Sequence, residues 1–271
     1  MDIVLAGPGR AGTALALCLV GAGHRVVGVV ARRVEAARAA AARLGGAVVG
    51  DRDRLPAADL LVVAVRDDAI AEVAGTLGGR AGEIDRAIHL SGVTSVRALD
   101  ALGPGMALGS FHPLQTIPNA EVGASRLAGS WIAVTTDAPA FAEDLAGLAR
   151  SIGALPFSLA DDLKPVYHAA AAAAANYPLA ALAMAERLFD ASGVPFAAAR
   201  PLIDAVVENA FGLGPGAALT GPIARGDLAT VAAQRAAVAA AVPDLEEDFA
   251  AMGRAVARVA GRTDEFARVL R

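Results

Sequence analysis

The sequence predicts an α/β protein, in which a doubly wound, mostly parallel sheet is followed by an all-helical C-terminal domain. From the start to about residue 135, short apolar runs alternate with longer amphipathic ones, which is typical of βαβ units. The strands are continuous Val, Leu and Ile runs, as expected for a sheet covered by helices on both faces. Beyond about residue 160 only helical patterns follow, separated by turns rich in Gly and Pro. We therefore predict a sheet domain at residues 1–160 and a helical domain at residues 161–271.

The predicted elements of the sheet domain follow in a regular order. Strands are expected at residues 3–6, 26–30 and 60–65. One helix is expected to follow the first strand and end near residue 20, and a second to span residues 34–44. Further strands are expected at residues 87–90, 107–110 and 131–135. Because the strands are parallel, their carboxyl ends lie along one edge, where open α/β sheets bind ligands.

Composition argues against several classes of function. A net charge of −4 without a sustained basic run gives no footprint for nucleic acid. The alanine-rich stretch at residues 169–185 is interrupted by Asn176 and Pro178 and is too weakly apolar for a membrane span. A single cysteine, Cys18, allows no disulfide within one chain and is expected to be a buried thiol. No metal site is expected, and a cytoplasmic location is predicted because no signal-peptide pattern is present.

A glycine-rich loop joins the first predicted strand to the first helix. Its residues are Gly7, Pro8, Gly9, Arg10, Ala11 and Gly12. In this context the pattern G-x-G-x-x-G is the fingerprint of a Rossmann-type dinucleotide-binding domain. The first glycine permits a tight turn, the second lets the backbone approach a pyrophosphate, and the third allows close packing of helix on strand. The alternative is a turn that binds no nucleotide.

The end of the second strand favours NADP over NAD. An NAD-binding domain usually has an Asp or Glu there, which binds the ribose hydroxyls. This chain instead has Ala31 followed by Arg32 and Arg33, and two guanidinium groups can bind a 2′-phosphate. The alternative is a solvated, basic start of the next helix.

Residues at two further strand ends are expected beside the cofactor. Val65, Arg66 and Asp67 follow the strand at 60–65, and Asp68 next to them is interpreted as a helix cap. Asp67 could equally be a cap. Ser91 follows the strand at 87–90 and is expected to line the same edge.

Two segments carry candidate chemistry. His112 and Gln115 lie in what is predicted to be an irregular stretch at the end of a strand, and both are expected to bind substrate. Lys164, His168 and Asn176 can share one side of a continuous helix. Reduction of a carbonyl or imine needs a proton donor, a role for Lys164 or His168, and a fixed hydrogen-bond donor, a role for Asn176. Alternatively, Lys164 is solvated at the helix start and Asn176 is structural.

A third segment is polar and rich in glycine, from Thr220 to Asp227. Arg225 within it could bind a substrate carboxylate. Asp227 is interpreted as a helix cap.

With these motifs in view, the chain resembles a largely uncharacterised family of two-domain Rossmann oxidoreductases. That family is distantly similar to pyrroline-5-carboxylate reductase, ketopantoate reductase and deazaflavin-dependent NADP oxidoreductases. The motifs are the glycine loop, the His-Pro-Leu-Gln run from His112, the segment from Lys164 to Tyr177, and the Thr-Gly-Pro and Arg-Gly-Asp runs from Thr220. In related dehydrogenases a lysine on the first helix of the second domain acts as acid and base, with an asparagine nearby. Lys164 and Asn176 resemble that pair, but His168 occupies the i+4 position where the hydroxyacid dehydrogenases have the asparagine.

The resemblance implies an oxidoreductase with its active site in a cleft between its domains, and it implies no particular substrate. From the glycine loop and from His112, Lys164, His168 and Asn176 we predict NADP(H)-dependent reduction of a small oxo acid or imine in that cleft. The resemblance also implies a homodimer formed through the helical domain. Among substrates we favour ketopantoate, since a small α-oxo acid suits one lysine and one arginine. The alternatives are a catalytically silent NADP(H)-binding sensor or scaffold and a deazaflavin-dependent NADP reductase.

Overall fold

A single sheet organises the first part of the chain. The computed structural model describes residues 1–45, 47–49 and 54–271. The described residues form eight strands: β1 (Asp2–Ala6), β2 (Arg25–Val30), β3 (Ala47–Val48), β4 (Leu60–Val63), β5 (Arg86–His89), β6 (Ala107–Pro113), β7 (Trp131–Thr136) and β8 (Leu155–Ser158). Their order is β3-β2-β1-β4-β5-β6-β7-β8, and every neighbouring pair is parallel except β6 and β7. The predicted α/β fold with a mostly parallel sheet is confirmed.

Helices connect and follow the strands. Those of the sheet region are α1 (Arg10–Gly21), α2 (Val34–Leu44), α3 (Ile70–Gly78), α4 (Ala120–Leu127) and α5 (Pro139–Ser151). The later ones are α6 (Lys164–Ala191), α7 (Arg200–Leu213), α8 (Pro215–Ala218), α9 (Pro222–Arg225), α10 (Leu228–Ala241), α11 (Glu246–Val259) and α12 (Thr263–Phe266). Short 3₁₀ helices lie at Asp67–Ala69, Val96–Leu102, Asp161–Leu163, Phe196–Ala199 and Pro243–Leu245.

Each face of the sheet has its own apolar core. Alternate residues of β1 divide between them, because successive side chains of a strand point to opposite faces. Ile3 and Leu5 belong to the core on the side of α1, α2 and α5, whereas Val4 and Ala6 belong to the core on the side of α3. The buried residues of both cores are at most 9% exposed, so the central strands are closely packed between the helices.

The chain divides into two compact units, Met1–Ala173 and Ala174–Arg271. The helix α6 is continuous and contributes to both, with Pro178 inside it. Every helix from α7 to α12 lies in the second unit. Within the described part of the chain, no helix is both long enough and apolar enough to cross a membrane.

Three local expectations need correction. The strand predicted at 107–110 continues to Pro113, so His112 lies in β6 and pairs with Ala133 of β7 rather than in an irregular stretch. The strands β3 and β8 were not predicted; β3 has two residues, and β8 contains Pro156. Cys18 is only partly buried, and its thiol donates to the carbonyl oxygen of Ala124 at 3.2 Å.

Candidate functional site

The glycine loop makes a tight turn between β1 and α1. Gly7 has a φ of +91°, a conformation that residues with a Cβ atom rarely adopt. A Cβ atom at Gly12 would lie 2.6 Å from the Cβ of Ala64, so α1 packs on the neighbouring strand end only because this residue is glycine. A Cβ atom at Gly9 would meet nothing within 4 Å. The loop therefore leaves open space directly in front of Gly9.

The start of α1 faces that open space with unpaired backbone donors. Gly9 is the N-cap residue, and the first N–H groups of any helix have no partner within the helix. No acidic residue lies in the first turn of α1 to repel an anion. Pro8 and Ala11 are half-buried, and the guanidinium group of Arg10 reaches the carbonyl oxygen of Pro118 at 3.4 Å. These features fit a dinucleotide pyrophosphate.

The end of β2 lies next to this loop. The N–H group of Gly7 donates to the carbonyl oxygen of Val30, which places the two segments side by side. Ala31 packs on the core, whereas Arg32 and Arg33 are exposed, with Arg33 at the N-cap position of α2. The side chains available at this strand end are thus basic, which suits a 2′-phosphate.

The loop after β4 contributes one acidic group to the site. Val65 is half-buried, and Arg66 forms an ion pair with Asp68 at 2.8 Å. Asp68 is therefore not the helix cap that the sequence suggested; the N-cap residues here are Arg66 and Ala69, neither with a side-chain cap bond. Asp67 is exposed, and its charge acts on both Lys164 and His112.

The turn after β5 is held by its own side chains. The Oγ of Ser91 accepts from the N–H groups of Val93 and Thr94 and donates to the Oγ1 of Thr94. The hydroxyl of Ser91 is therefore fully used inside the turn, and its role beside a cofactor stays a prediction. Gly92 lies against His112, since a Cβ atom there would come within 2.8 Å of the imidazole.

Two hydrogen bonds join β6 to the first turn of α6. Ser110 and His112 are two residues apart on β6 and point to the same face. Lys164 Nζ donates to Ser110 Oγ at 2.7 Å, and Tyr167 Oη lies 2.8 Å from His112 Nδ1. Lys164 and Tyr167 are three residues apart on α6 and therefore lie on the same side of the helix. This side of α6 contacts the face of β6 that carries Ser110 and His112.

The turn before α6 is also bonded to the start of the 3₁₀ helix that follows β5. The carboxylate of Asp161, just before α6, accepts from Ser95 Oγ and from the N–H group of Val96. Ser95 caps the 3₁₀ helix at Val96–Leu102, because its Oγ accepts from the N–H group of Arg97. The two bonds to Asp161 join the start of this helix to the turn that leads to Lys164. All these groups lie within the first unit, so the cluster is built by one compact body.

Lys164 is a buried amine. It is 1% exposed, and burial lowers its pKa from 10.5 to about 8, while the charges of Asp161 and Asp67 oppose that shift. The alternative of a solvated Lys164 at the helix start is therefore wrong. It is also the single lysine of the chain, among 24 lysine and arginine residues. That count is a signal in the sequence itself, because only the lysine can lose its proton near neutral pH.

Both neighbouring histidines are neutral near pH 7. Burial, with the nearby charges of His168 and Lys164, lowers the pKa of His112 to about 4. Burial and the charge of Lys164 lower the pKa of His89 to about 3. The Nδ1 of His89 accepts from the N–H group of Ser91, and its buried Nε2 has no hydrogen-bond partner within the described residues.

The other predicted site residues are distributed as follows. His168 is half-buried, and its ring centroid lies 6.2 Å from that of His112. Gln115 is exposed, and its Oε1 accepts from the N–H group of Thr116. Asn176 and Arg225 are exposed residues of the second unit, and their roles stay predictions.

One structural role from the polar segment is confirmed. Asp227 caps α10, because its carboxylate accepts from the N–H group of Thr230 at 3.0 Å. Within the described residues, no group of three or more His, Cys, Asp and Glu side chains could hold a metal ion.

Four site residues were not singled out from the sequence: His89, Gly92, Ser110 and Tyr167. His89 and Ser110 lie within strands, and Gly92 and Tyr167 are each next to a residue that was singled out. Ser110 is two residues before His112, and Tyr167 is directly before His168. A period of two on a strand and of three to four on a helix would have pointed to both.

Two sequence-family models match the chain. A Rossmann-like domain matches residues 1–113, and a domain of unknown function, DUF2520, matches residues 130–256. The second match includes Lys164, Tyr167 and His168. No curated protein matches the chain in sequence.

Solved structures share the fold over the whole chain. A protein from Bacteroides fragilis, named as a "putative NADP oxidoreductase", has a TM-score of 0.80 at 24% identity and covers 95% of this chain and 98% of its own. An imine reductase of Streptomyces aurantiacus has a TM-score of 0.64 at 18% identity, covering 98% and 99%. A pyrroline-5-carboxylate reductase of Coxiella burnetii has a TM-score of 0.58 at 15% identity, covering 97% of each chain. At these identities the likeness establishes a common fold, with a Rossmann-like domain at its start.

Proposed function

We propose that the protein is an NADP(H)-dependent oxidoreductase that reduces a small oxo acid or imine by hydride transfer. The observation that carries this proposal is the buried amine of Lys164, held against Ser110 at the edge of the sheet that also presents the glycine loop. A buried amine with a pKa of about 8 can hold a proton at pH 7 and release it during reaction. The names of the similar structures, two reductases and an oxidoreductase, support the same reaction type.

The residues would divide the work as follows. The backbone from Gly7 to Gly12 would bind the pyrophosphate, and Arg32 and Arg33 the 2′-phosphate. The cofactor supplies the hydride when bound. Lys164 would supply the proton to the oxygen or nitrogen that becomes more basic as the hydride arrives, and its burial keeps bulk water away from that proton.

The experiment that tests this function has two stages. The purified protein is titrated with NADPH by fluorescence, and NADPH oxidation is then followed with small 2-oxo acids, including ketopantoate, and with cyclic imines. We expect saturable binding and turnover of at least one class. Binding without turnover over the whole panel would favour a sensor or scaffold, and the absence of binding would reject the proposal altogether.

Cofactor choice gives a separate prediction. We expect NADPH to bind about 10- to 100-fold more tightly than NADH, because hydrogen bonds to a charged group contribute about 1.5–3 kcal/mol. Changing Arg32 and Arg33 together to serine should remove that preference and leave NADH binding unchanged. Arg38→Ser, which removes an exposed arginine within α2, is the matched control and should have little effect on the preference for NADPH. Equal binding of both cofactors by the unaltered protein would contradict this assignment.

We further propose that the protein is a homodimer joined through its helical unit. No residue of α7 is buried, although the helix carries Leu202, Val206, Val207, Phe211 and Leu213. Phe211 alone is 91% exposed. An apolar helix face of this kind is costly in water and typical of an oligomer interface.

A single substitution on α7 tests whether the protein is a dimer. Phe211→Asp should give a monomer in multi-angle light scattering at concentrations where the unaltered protein is a dimer, because an unpaired charge is costly to bury at an interface. Val20→Asp, at an exposed apolar position of α1, should leave the mass unchanged. A monomeric unaltered protein would exclude this assembly.

A further inference from the structure

The half-buried pair of His112 and Tyr167 has a defined hydrogen-bond polarity. Tyr167 Oη and His112 Nδ1 are 2.8 Å apart, and one of them must donate. A phenol O–H is a stronger donor than an imidazole N–H, and an imidazole nitrogen is a stronger acceptor than a phenol oxygen. The O–H group of Tyr167 therefore donates to Nδ1. Burial also raises the pKa of Tyr167 to about 12, so the phenol keeps its proton.

This polarity sets the other nitrogen of His112. A neutral imidazole carries one proton, so when Nδ1 accepts, Nε2 is the N–H donor. His112 is only half-buried, and its Nε2 has no hydrogen-bond partner within the described residues. The imidazole is held in place on one side by Gly92 and on the other by Tyr167, whose ring packs edge-on against Phe157. A ligand at this edge of the sheet would therefore meet a fixed, uncharged N–H donor.

The buried amine beside it, Lys164, is also a donor. Lys164 Nζ uses one of its three N–H bonds on Ser110 and has no other hydrogen-bond partner within the described residues. The carboxylate of Asp161 is already bound to Ser95 and Val96. Asp67 is exposed, so solvent screens its charge. The site offers a cation and a neutral donor, and its nearest buried acceptor is in use.

We propose that Tyr167 is a positioning residue that fixes His112 as the Nε2–H tautomer, and that the reducible group recognised by His112 and Lys164 is a carbonyl rather than an imine. This rests on the proposed function and names its substrate class. A carbonyl oxygen accepts both donors and gains negative charge as the reaction proceeds. A neutral imine nitrogen has one lone pair and can accept from only one of the two donors. Its protonated iminium form accepts from neither and is repelled by a charged Lys164.

The reaction that this arrangement supports is the reduction of a carbonyl to an alcohol. The carbonyl carbon gains a hydride from NADPH, which is oxidised to NADP⁺, and the C=O π bond is broken. The oxygen takes a proton from the Lys164 ammonium group, and the product is an alcohol. Lys164 then regains a proton from solvent. His112 keeps its own proton throughout and acts as a hydrogen-bond donor.

The tautomer is tested without any turnover. The chain has four histidines, so ¹⁵N-histidine NMR gives four imidazole spin systems, and His112→Gln identifies the one that belongs to His112. At pH 7 we expect the Nε2–H pattern for His112 in the unaltered protein and a mixture of tautomers in Tyr167→Phe, which keeps the ring but lacks the hydroxyl. Tyr177→Phe changes the other tyrosine of the chain and should leave His112 unchanged. An Nδ1–H tautomer or an imidazolium in the unaltered protein would overturn the role of Tyr167.

The substrate class is tested by turnover on matched compounds. We expect kcat/KM with NADPH to be at least about tenfold greater for small 2-oxo acids than for cyclic imines of similar size, the value of one well-placed hydrogen bond. Tyr167→Phe should lower kcat for the oxo acid by about tenfold with little change in KM, because the fixed donor is needed most as charge develops. Preference for the imine would overturn the carbonyl assignment while leaving the oxidoreductase function intact. Binding of NADPH without turnover of either class would reject the proposed function and with it the substrate class, and the NMR result would still decide the role of Tyr167.

Discussion

Replacing Lys164 with methionine is expected to lower kcat/KM for the reduction by about 10²- to 10⁴-fold, the usual contribution of a positioned proton donor. Methionine keeps most of the length and volume of the lysine side chain but has no proton to give. Since the glycine loop is far from the substitution in sequence and unaltered by it, the affinity for NADPH should stay within about threefold, well below the tenfold that one hydrogen bond provides. Steady-state kinetics and fluorescence titration measure the two effects separately. Loss of cofactor binding as well would indicate a folding defect instead.

The same lysine predicts the pH dependence of the reaction. Because the pKa of Lys164 is lowered to about 8, the proton donor is present below that pH and is lost as the pH rises through it. The rate of reduction should therefore fall above about pH 8, and the rate of the reverse oxidation should rise. The fall should be absent from the residual activity of Lys164→Met.

This pKa can be measured directly, because Lys164 is the single lysine in the chain. Protein labelled with ¹³C-lysine should give one side-chain resonance that titrates near pH 8. Lys164→Arg provides a second comparison, since it keeps the positive charge but cannot release a proton in this range. A resonance that titrates near 10.5, or an arginine variant with full activity, would show that Lys164 is not the proton donor.

Much of the first domain could be predicted because its signals are local. The glycine loop, the apolar strands and the start of α1 each depend on fewer than about 20 neighbouring residues, the scale of one βα unit. The strands missed are those with weak local signals. β3 has two exposed residues, and β8 is a partly exposed edge strand that contains a proline, which a central strand would not tolerate.

The candidate site was predicted only in part because its contacts are long-range. Lys164 could be singled out from its place on a helix, but its hydrogen bond to Ser110 joins residues 54 apart in the chain. The pairing of His112 with Tyr167 spans 55 residues and depends on β6 continuing through Pro113. Neither a helical nor a strand period contains that information. The sequence did contain one further indication that Lys164 has a special role. It is the single lysine among 24 lysine and arginine residues.

Lys164→Met is also expected to make the protein more stable near neutral pH. In the folded protein the pKa of Lys164 is about 8, below its ordinary value of 10.5, so between these two pH values the unfolded chain binds the proton and the folded protein does not. Stability of the unaltered protein should therefore rise with pH over this window, by about 3 kcal/mol. Below pH 8 the full cost of the buried charge is present, and the substitution removes it.

A second effect opposes this gain. Methionine cannot donate to the Oγ of Ser110, which is itself buried, and an unsatisfied buried hydroxyl costs about 1–3 kcal/mol. The net gain at pH 7 should thus be small, between about 0 and 2 kcal/mol. At pH 10.5 and above the lysine of the folded protein is neutral, the gain is gone and only the loss remains. The variant should then be less stable than the unaltered protein.

Urea unfolding of both proteins at pH 7 and at pH 10.5 measures this reversal. Other titratable groups are present in both proteins and cancel in the difference. The difference in unfolding free energy should therefore change by about 3 kcal/mol between the two pH values. A difference independent of pH would mean that Lys164 has an ordinary pKa, and the proton donor of the reaction would then have to be found among its neighbours. A difference that reverses sign would show that burial of the protonated Lys164 destabilises the fold, as expected for a proton donor whose pKa is lowered to about 8.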